Sequence, residues 1–357
     1  MGIEHPPTSW FFGNFNLAIK YGIFEVQKVF YNKYKDKKVY GWYDTRKPVL
    51  VVKDLDMIKD IFVKNFASFV DRYNLFEVNP PFRDNLLNLR GEHWKHVRNI
   101  VTPAFSSGRI KKMTSHIHRN AKILLDNLQH ICETGQEVEL RDLSACFTLD
   151  VIASTGFGLE INTLKDPKNK FATEAQKVIN PNPVLFTFVL FIPELGKIFS
   201  KLGFPILPQK SMDYFAQVVD QIIEKRKRDG LNGKVNDFLD LVMNAEAEAG
   251  HGEGKELTRS EIHAQALLRG HVLVEAERFN SENKATRHPY AHLPFGQGPR
   301  NCIGMRLALL ELKIVIAAIL QKFSPVPCSK TVYPIKLSKV RPRAQDGLWV
   351  KFEQRKK

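Results

Sequence analysis

The decisive stretch runs Phe295-Gly296-Gln297-Gly298-Pro299-Arg300-Asn301-Cys302-Ile303-Gly304, or FGQGPRNCIG. Its single cysteine stands directly ahead of an apolar segment, Ile303 to Leu320. That composition predicts a helix apolar on nearly every face and therefore buried. A helix N-terminus offers unpaired N–H groups and the positive end of the helix dipole, so a sulfur placed there is favoured as its anion. Gly296 and Gly298 permit a tight loop with positive φ around that sulfur, and Gly304 leaves backbone open to close approach. The loop is not a dinucleotide fingerprint, because Asn301 stands where G-x-G-x-x-G needs its third glycine and no strand precedes it. Cys132, Cys146 and Cys328 form no C-x-x-C pair, which argues against a disulfide framework or a structural zinc site; they read as small buried hydrophobes.

Working outward, the whole chain has 357 residues, 43% of them hydrophobic and 25% charged, enough apolar surface for a core and too much for bulk disorder. The N-terminal residues lack the pattern of a secretory signal, and no Asn-x-Ser/Thr sequon occurs, both of which suit a chain facing a reducing compartment. The longest apolar run, Val184 to Ile192 between Pro183 and Pro193, is too short to span about 30 Å of hydrocarbon. The net charge of +15 leaves an anionic membrane, an acidic redox partner or nucleic acid as neighbours. Nucleic acid is disfavoured, since no stripe of aromatic residues interleaved with Lys/Arg is present.

The rest of the chain reads as mainly α with a small β component. A helix is expected from about Leu17 to Lys35, followed by two short strands, VYGWYDT and VLVVKD, joined by a turn. Ile110, Met113, Ile117, Ala121, Leu124, Leu128 and Ile131 recur at steps of three and four between Ser106 and Gly135, an amphipathic helix with both ends marked. A second such helix carries Met212, Phe215, Val219 and Ile222 behind Ser211, and its basic tail EKRKR reads as a solvated end that complements the helix dipole. A surface loop spans about Asn232 to Lys255, and a capping box at Thr258 and Glu261 opens a further helix that stops at Arg269 and Gly270. The pairs His93/His96 and His116/His118 lack a third ligand nearby and read as exposed helix histidines.

Phe295, Gly296, Gly298, Arg300, Cys302 and Gly304 together match the signature of the cytochrome P450 superfamily of haem-thiolate monooxygenases. Chance occurrence of six such positions in one chain is on the order of one in a hundred thousand. The chain resembles in particular the microsomal family 3 and thromboxane-synthase-like branch, through LTRSEIHAQALL, AERFNSENK and PFGQGPRNCIGMRLAL. The resemblance implies a P450-like fold holding haem b, with Cys302 as axial ligand of the iron and catalytic centre, and Phe295, Gly296, Arg300 and Gly304 in its cofactor loop. It implies that Trp94 and Arg98, spaced i, i+4, and Arg72 of FVDRY meet the haem propionates, as guanidinium groups can through paired hydrogen bonds. It further implies an NADPH-dependent flavoprotein reductase, a small apolar substrate, no nucleic acid, and a location on the cytoplasmic face of the endoplasmic reticulum membrane. Peripheral membrane contact is expected from Phe186, Phe188, Phe191 and Ile192.

The resemblance leads us to expect two departures from the family pattern. The chain begins at the Pro-rich hinge, so the N-terminal membrane anchor of microsomal relatives is expected to be absent. After Leu268 the sequence passes directly to RGHVLVEAERFN, so the fold, a single domain over residues 1–357, is expected to be incomplete, with the central oxygen-binding helix and the segment after it deleted at about 268–269. Missing with them are the acid–threonine pair that delivers protons and the Glu-x-x-Arg helix that would pair with Arg278. ELTR and EAER match Glu-x-x-Arg by letter alone. The resemblance therefore implies either a monooxygenase or a shortened form that at most binds haem.

Overall fold

A computed structural model describes residues 2–22, 25–72, 82–180, 207–230, 237–241, 285–336 and 344–355, with isolated positions at 182, 185, 189, 198, 199, 202, 243 and 338. The expected helix after Thr258, its stop at Arg269, Arg278, and the apolar loop with Phe186, Phe188, Phe191 and Ile192 lie outside the described residues.

The first expected helix is two. α1 (Phe15–Tyr21) ends at Gly22, whose φ of 92° breaks the helical path, and α2 (Glu25–Lys33) follows. Apolar spacing continues on either side of Gly22, which is why periodicity joined them. β1 (Val39–Asp44) and β2 (Lys47–Val52) form an antiparallel hairpin paired from Val39↔Val52 to Asp44↔Lys47. Ala18, Val26, Phe30, Tyr34 and Tyr40 make a small core beneath it. α3 (Leu55–Lys59) runs on into a π-helical turn, Asp60–Lys64.

The central packing is helical. α4 (Gly91–Val101) is followed by α5 (Ser107–Thr134), which ends in left-handed Gly135 as its sequence punctuation predicts. α6 (Leu140–Phe157) and α9 (Met305–Lys322) both pack on α5. Ile110, Met113, Ile117, Leu124 and Leu128 of α5 face Leu143, Phe147 and Val151 of α6 and Leu307 and Val315 of α9. Each such side chain contributes about 1.5–3 kcal/mol when fully buried, so this seam is the main tie between the two halves of the chain. β3 (Glu137–Glu139), β4 (Phe323–Val326) and β5 (Trp349–Gln354) form an antiparallel sheet with β5 in the middle, closing the end of α5. A second core joins Trp94, Val97 and Val101 of α4 to Ala153 and Phe157 of α6, to Phe171 and Ala175 of α7 (Lys170–Ile179), and to Phe215, Val219 and Ile223 of α8 (Gln209–Arg228).

Three expectations are corrected. α8 begins at Gln209 after Pro208, so Ser211 lies inside it and donates from its hydroxyl to Glu174 instead of capping. The basic tail of α8 is not wholly solvated: Arg226 is buried in an ion pair with fully buried Asp237 and also donates to the Phe157 carbonyl. α9 is not buried all round. Its core face carries Leu307, Glu311 and Val315, whereas Leu309, Leu312, Ile316 and Leu320 are 38–51% exposed, because none of the described elements lies over that outer face. Among the described residues no helix is long and apolar enough to cross a membrane.

Candidate cofactor site around Cys302

The Cys302 loop is built by its backbone. Gly296 and Gly298 take φ of 69° and 75°, as the sequence requires. The Cys302 N–H donates to the Phe295 carbonyl at 2.7 Å and the Asn301 N–H to the Gly298 carbonyl at 3.0 Å, so the chain curls back on itself just before the sulfur. Gly298 is seated against α3's π turn so closely that a Cβ there would stand 1.9 Å from the Phe62 carbonyl oxygen. α9 starts at Met305, two residues later than expected, with Gly304 as its cap. The Met305 N–H donates to the Cys302 carbonyl at 3.4 Å, so the helix still points its positive end at the cysteine. Cys302 is exposed. The other three cysteines are free and only partly buried, less enclosed than a small hydrophobe would be.

Side chains from distant segments converge on this loop. Trp94, buried on α4, lies under the Arg300 guanidinium, whose centre is 4.2 Å from the ring centroid. Arg300 is buried and donates to the Leu89 carbonyl at 2.7 Å and the Leu86 carbonyl at 3.4 Å, with the Asp71 carboxylate 3.8 Å away. Arg98, one helical turn beyond Trp94, reaches the Asn301 side-chain oxygen at 3.0 Å, and Arg72 donates to the Arg300 carbonyl at 2.7 Å. Thus Arg72, Trp94, Arg98, Phe295, Gly296, Arg300 and Cys302 are brought to one place. Gly304 sits at its margin, where a Cβ would meet the Phe105 ring at an ordinary 3.7 Å.

Charge at the site is unbalanced. Burial pushes the Arg300 guanidinium down to about 10, with Arg72, Arg98 and Arg90 adding repulsion against the pull of Asp71. Burial also lowers Arg98, with Arg72 repelling it and Cys302 holding it up. Both remain cationic at neutral pH. Three guanidinium groups therefore crowd around a sulfur and, among the described residues, one neighbouring carboxylate. The Arg300 Nε is buried with no hydrogen-bond partner, a cost of about 1–3 kcal/mol that an anionic ligand would remove. An iron porphyrin supplies what this set lacks: two carboxylates for the guanidinium groups and a metal for the exposed thiol. The residues present fit that group.

Sequence reasoning missed Asp71, Asn301 and Phe62. Asp71 adjoins Arg72 in the same short motif, and Asn301 sits inside the signature, so both were within reach. Phe62 contributes through its carbonyl, which no side-chain pattern reports. Among the described residues there is no group of three His, Cys, Asp or Glu that could hold a metal ion. His93 and His118 are exposed as expected, whereas His96 and His116 are half-buried on the inner sides of α4 and α5.

The fold and site define a haem-thiolate class of protein, and comparison with known proteins agrees. The family model described as Cytochrome P450 matches residues 4–268 and 274–345. Relatives include Cytochrome P450 3A29 of Sus scrofa, 27% identical over 448 aligned positions covering 95% of this chain and 88% of that protein. Cytochrome P450 3A12 of Canis lupus familiaris is 26% identical over 450 positions, covering 95% and 88%. Cytochrome P450 3A7 of Homo sapiens is 27% identical over 449 positions, covering 94% and 88%. The chain belongs to the cytochrome P450 family, in its family 3 branch, with the mainly helical fold of that family. Against 448 aligned positions this chain has 357 residues, which leaves at least 91 positions opposite no residue of it.

Proposed function

We propose that the chain binds haem b, which Cys302 would hold through its iron and Arg72, Arg98 and Arg300 would hold through its propionates. The observation that carries this reading is the buried, partnerless Arg300 Nε within a cluster of three guanidinium groups beside an exposed cysteine. When bound, the haem supplies the chemistry that inserts one atom of dioxygen into an apolar organic substrate, with electrons from an NADPH-dependent flavoprotein reductase. The chain's own part is to position and shield. Trp94 walls the Arg300 guanidinium off from water, the Phe295 carbonyl fixes the Cys302 backbone, and Gly304 at the start of α9 brings the positive helix end to the sulfur. The positive surplus of the chain suits an acidic reductase and an anionic membrane surface, on the cytoplasmic face of the endoplasmic reticulum.

A second reading, a shortened single domain over residues 1–357 that holds haem without turnover, is favoured by one observation. The family match breaks between residues 268 and 274, beside the expected deletion at 268–269, and relatives supply the missing positions.

The arginine cluster is tested by haem titration of purified Arg98→Leu and Arg72→Leu. Charge-assisted hydrogen bonds contribute about 1.5–3 kcal/mol, so each variant should bind haem about tenfold or more weakly than the unaltered chain. Unchanged affinity in both would remove the propionate role.

A further inference from the structure

One buried carboxyl takes no part in the cofactor site. Asp150 of α6 is 5% exposed and lies against Thr163, 2% exposed, in the segment 158–169 that joins α6 to α7. Both Asp150 oxygens accept from a single donor, the Thr163 N–H, at 3.1 and 3.2 Å. The Thr163 hydroxyl donates to the Cys146 carbonyl of α6 at 3.1 Å, so this residue is tied to α6 through backbone and side chain alike. The segment's other ties are weaker: the Asn162 side-chain oxygen accepts from Asn127 of α5 at 3.3 Å, and Glu160 pairs with Arg119 at the exposed surface. Asp150 and Thr163 are its anchor.

One shared N–H is a poor substitute for the water that a carboxylate loses on burial. No cation makes up the difference. The titratable and charged groups of the surrounding elements are Asp142 and Cys146 of α6, Glu160, Lys165 and Asp166 of the segment, and Arg119 and Asp126 of α5. Arg119 is engaged by Glu160, Lys165 is exposed, and among the described residues no ion pair reaches Asp150. Burial pushes the Cys146 thiol up, so it stays neutral and adds no charge of its own. Burial likewise pushes the Asp150 carboxyl up to about 6, and the bonds from Thr163 offset only part of this. A carboxyl raised in the closed form and ordinary in the open one favours closure fully below about pH 4. That advantage is lost as pH rises to about 6, above which both forms are ionised and the penalty is complete.

The segment leads toward the cofactor site. Asn169 at its end caps α7 by accepting from the Phe171 N–H at 2.9 Å, and Phe171 and Ala175 of α7 share a core with Trp94 and Val97 of α4.

We infer that Asp150 is a proton-controlled latch: protonated, it holds residues 158–169 against α6, and ionised, it lets that segment open to water and loosens the seat of α7. The latch does not depend on haem.

Hydrogen–deuterium exchange of the purified full chain at pH 5 and pH 7.5, corrected for the intrinsic rate at each pH, tests this on a peptide covering residues 158–166. Opening should be about tenfold more frequent at pH 7.5 than at pH 5 in the unaltered chain. Asp150→Asn keeps an oxygen for the Thr163 N–H and carries no charge at either pH. Its opening at pH 7.5 should be as rare as at pH 5, and its thermal midpoint at pH 7.5 should exceed that of the unaltered chain. Thr163→Val keeps the backbone donor and loses the hydroxyl, so it should open more often at both pH values and retain the tenfold ratio. The inference is overturned by a ratio near one in the unaltered chain, by the full ratio persisting in Asp150→Asn, or by an Asp150→Asn chain less stable than the unaltered one at pH 7.5. The last result would show that the ionised carboxylate is what the fold requires.

Discussion

Replacing Gly298 with alanine is expected to strip the purified chain of its ability to retain haem. The new Cβ would stand 1.9 Å from the Phe62 carbonyl oxygen, a backbone atom that cannot swing aside as a side-chain end can. It would also hold an L residue at φ 75°, which costs about 1–2 kcal/mol. Overpacking against backbone adds about 1–3 kcal/mol, so the loop loses about 2–5 kcal/mol. Gly296→Ala separates the two contributions. Its φ is 69°, but the nearest atom to a Cβ is the Asn301 Cα at 3.7 Å, so it should pay the backbone cost alone and retain most of its haem. Haem content per chain after purification, with far-ultraviolet circular dichroism to show the fold intact, reads both. Equal haem retention by the two variants would mean that the seat of Gly298 on Phe62 does not organise the site.

Cys302→Ser should have the larger spectroscopic effect. A serine hydroxyl is neutral at pH 7 and cannot replace the thiolate that would bind the iron. Arg72, Arg98 and Arg300 remain, so the variant should still take up haem, but its reduced, carbon-monoxide-bound Soret band should lose the long-wavelength position that marks thiolate ligation. Cys132→Ser, Cys146→Ser and Cys328→Ser should keep that band, since none of the three is at the site. A Cys302→Ser protein that kept it would place the ligand elsewhere.

What the sequence revealed and what it hid divide along physical lines. α5 was legible from Ile110 to Ile131 because a helix packed on one face must repeat its apolar residues at the helical period, and Gly135 ends it in the left-handed conformation predicted. The Cys302 loop was legible because its geometry is contiguous: two glycines, a cysteine and a helix start are all set by neighbours in sequence. Arg72 reaches the Arg300 carbonyl across 228 residues, and nothing local specifies that meeting; family resemblance implied a propionate role for Arg72 and not this contact. The exposed face of α9 was hidden for the opposite reason. Apolar composition says that a surface would gain from burial, and only the neighbours decide whether it is buried. Arg226 shows the same limit. In sequence it is one cation of a solvated run, and Asp237, arriving from beyond the next turn, makes it a buried one. Asp71 and Asn301 were missed because they serve arginines instead of the cofactor, and partners of partners leave no pattern.

The pH behaviour of the site follows from the same charge imbalance. Arg300 binds its proton less tightly in the folded chain than in the unfolded one, so protonation at neutral pH opposes folding, and that opposition lifts only as pH rises through about 10. A propionate relieves it at neutral pH without deprotonation, so haem should stabilise the chain.

The most direct measurement is the carbon-monoxide difference spectrum of the purified, reduced chain after reconstitution with haem. The long-wavelength Soret band of a thiolate-bound haem is expected, at up to one haem per chain. A chain that takes up no haem, or gives only the shorter-wavelength band of other axial ligands, would contradict the assignment of Cys302 and the arginine cluster.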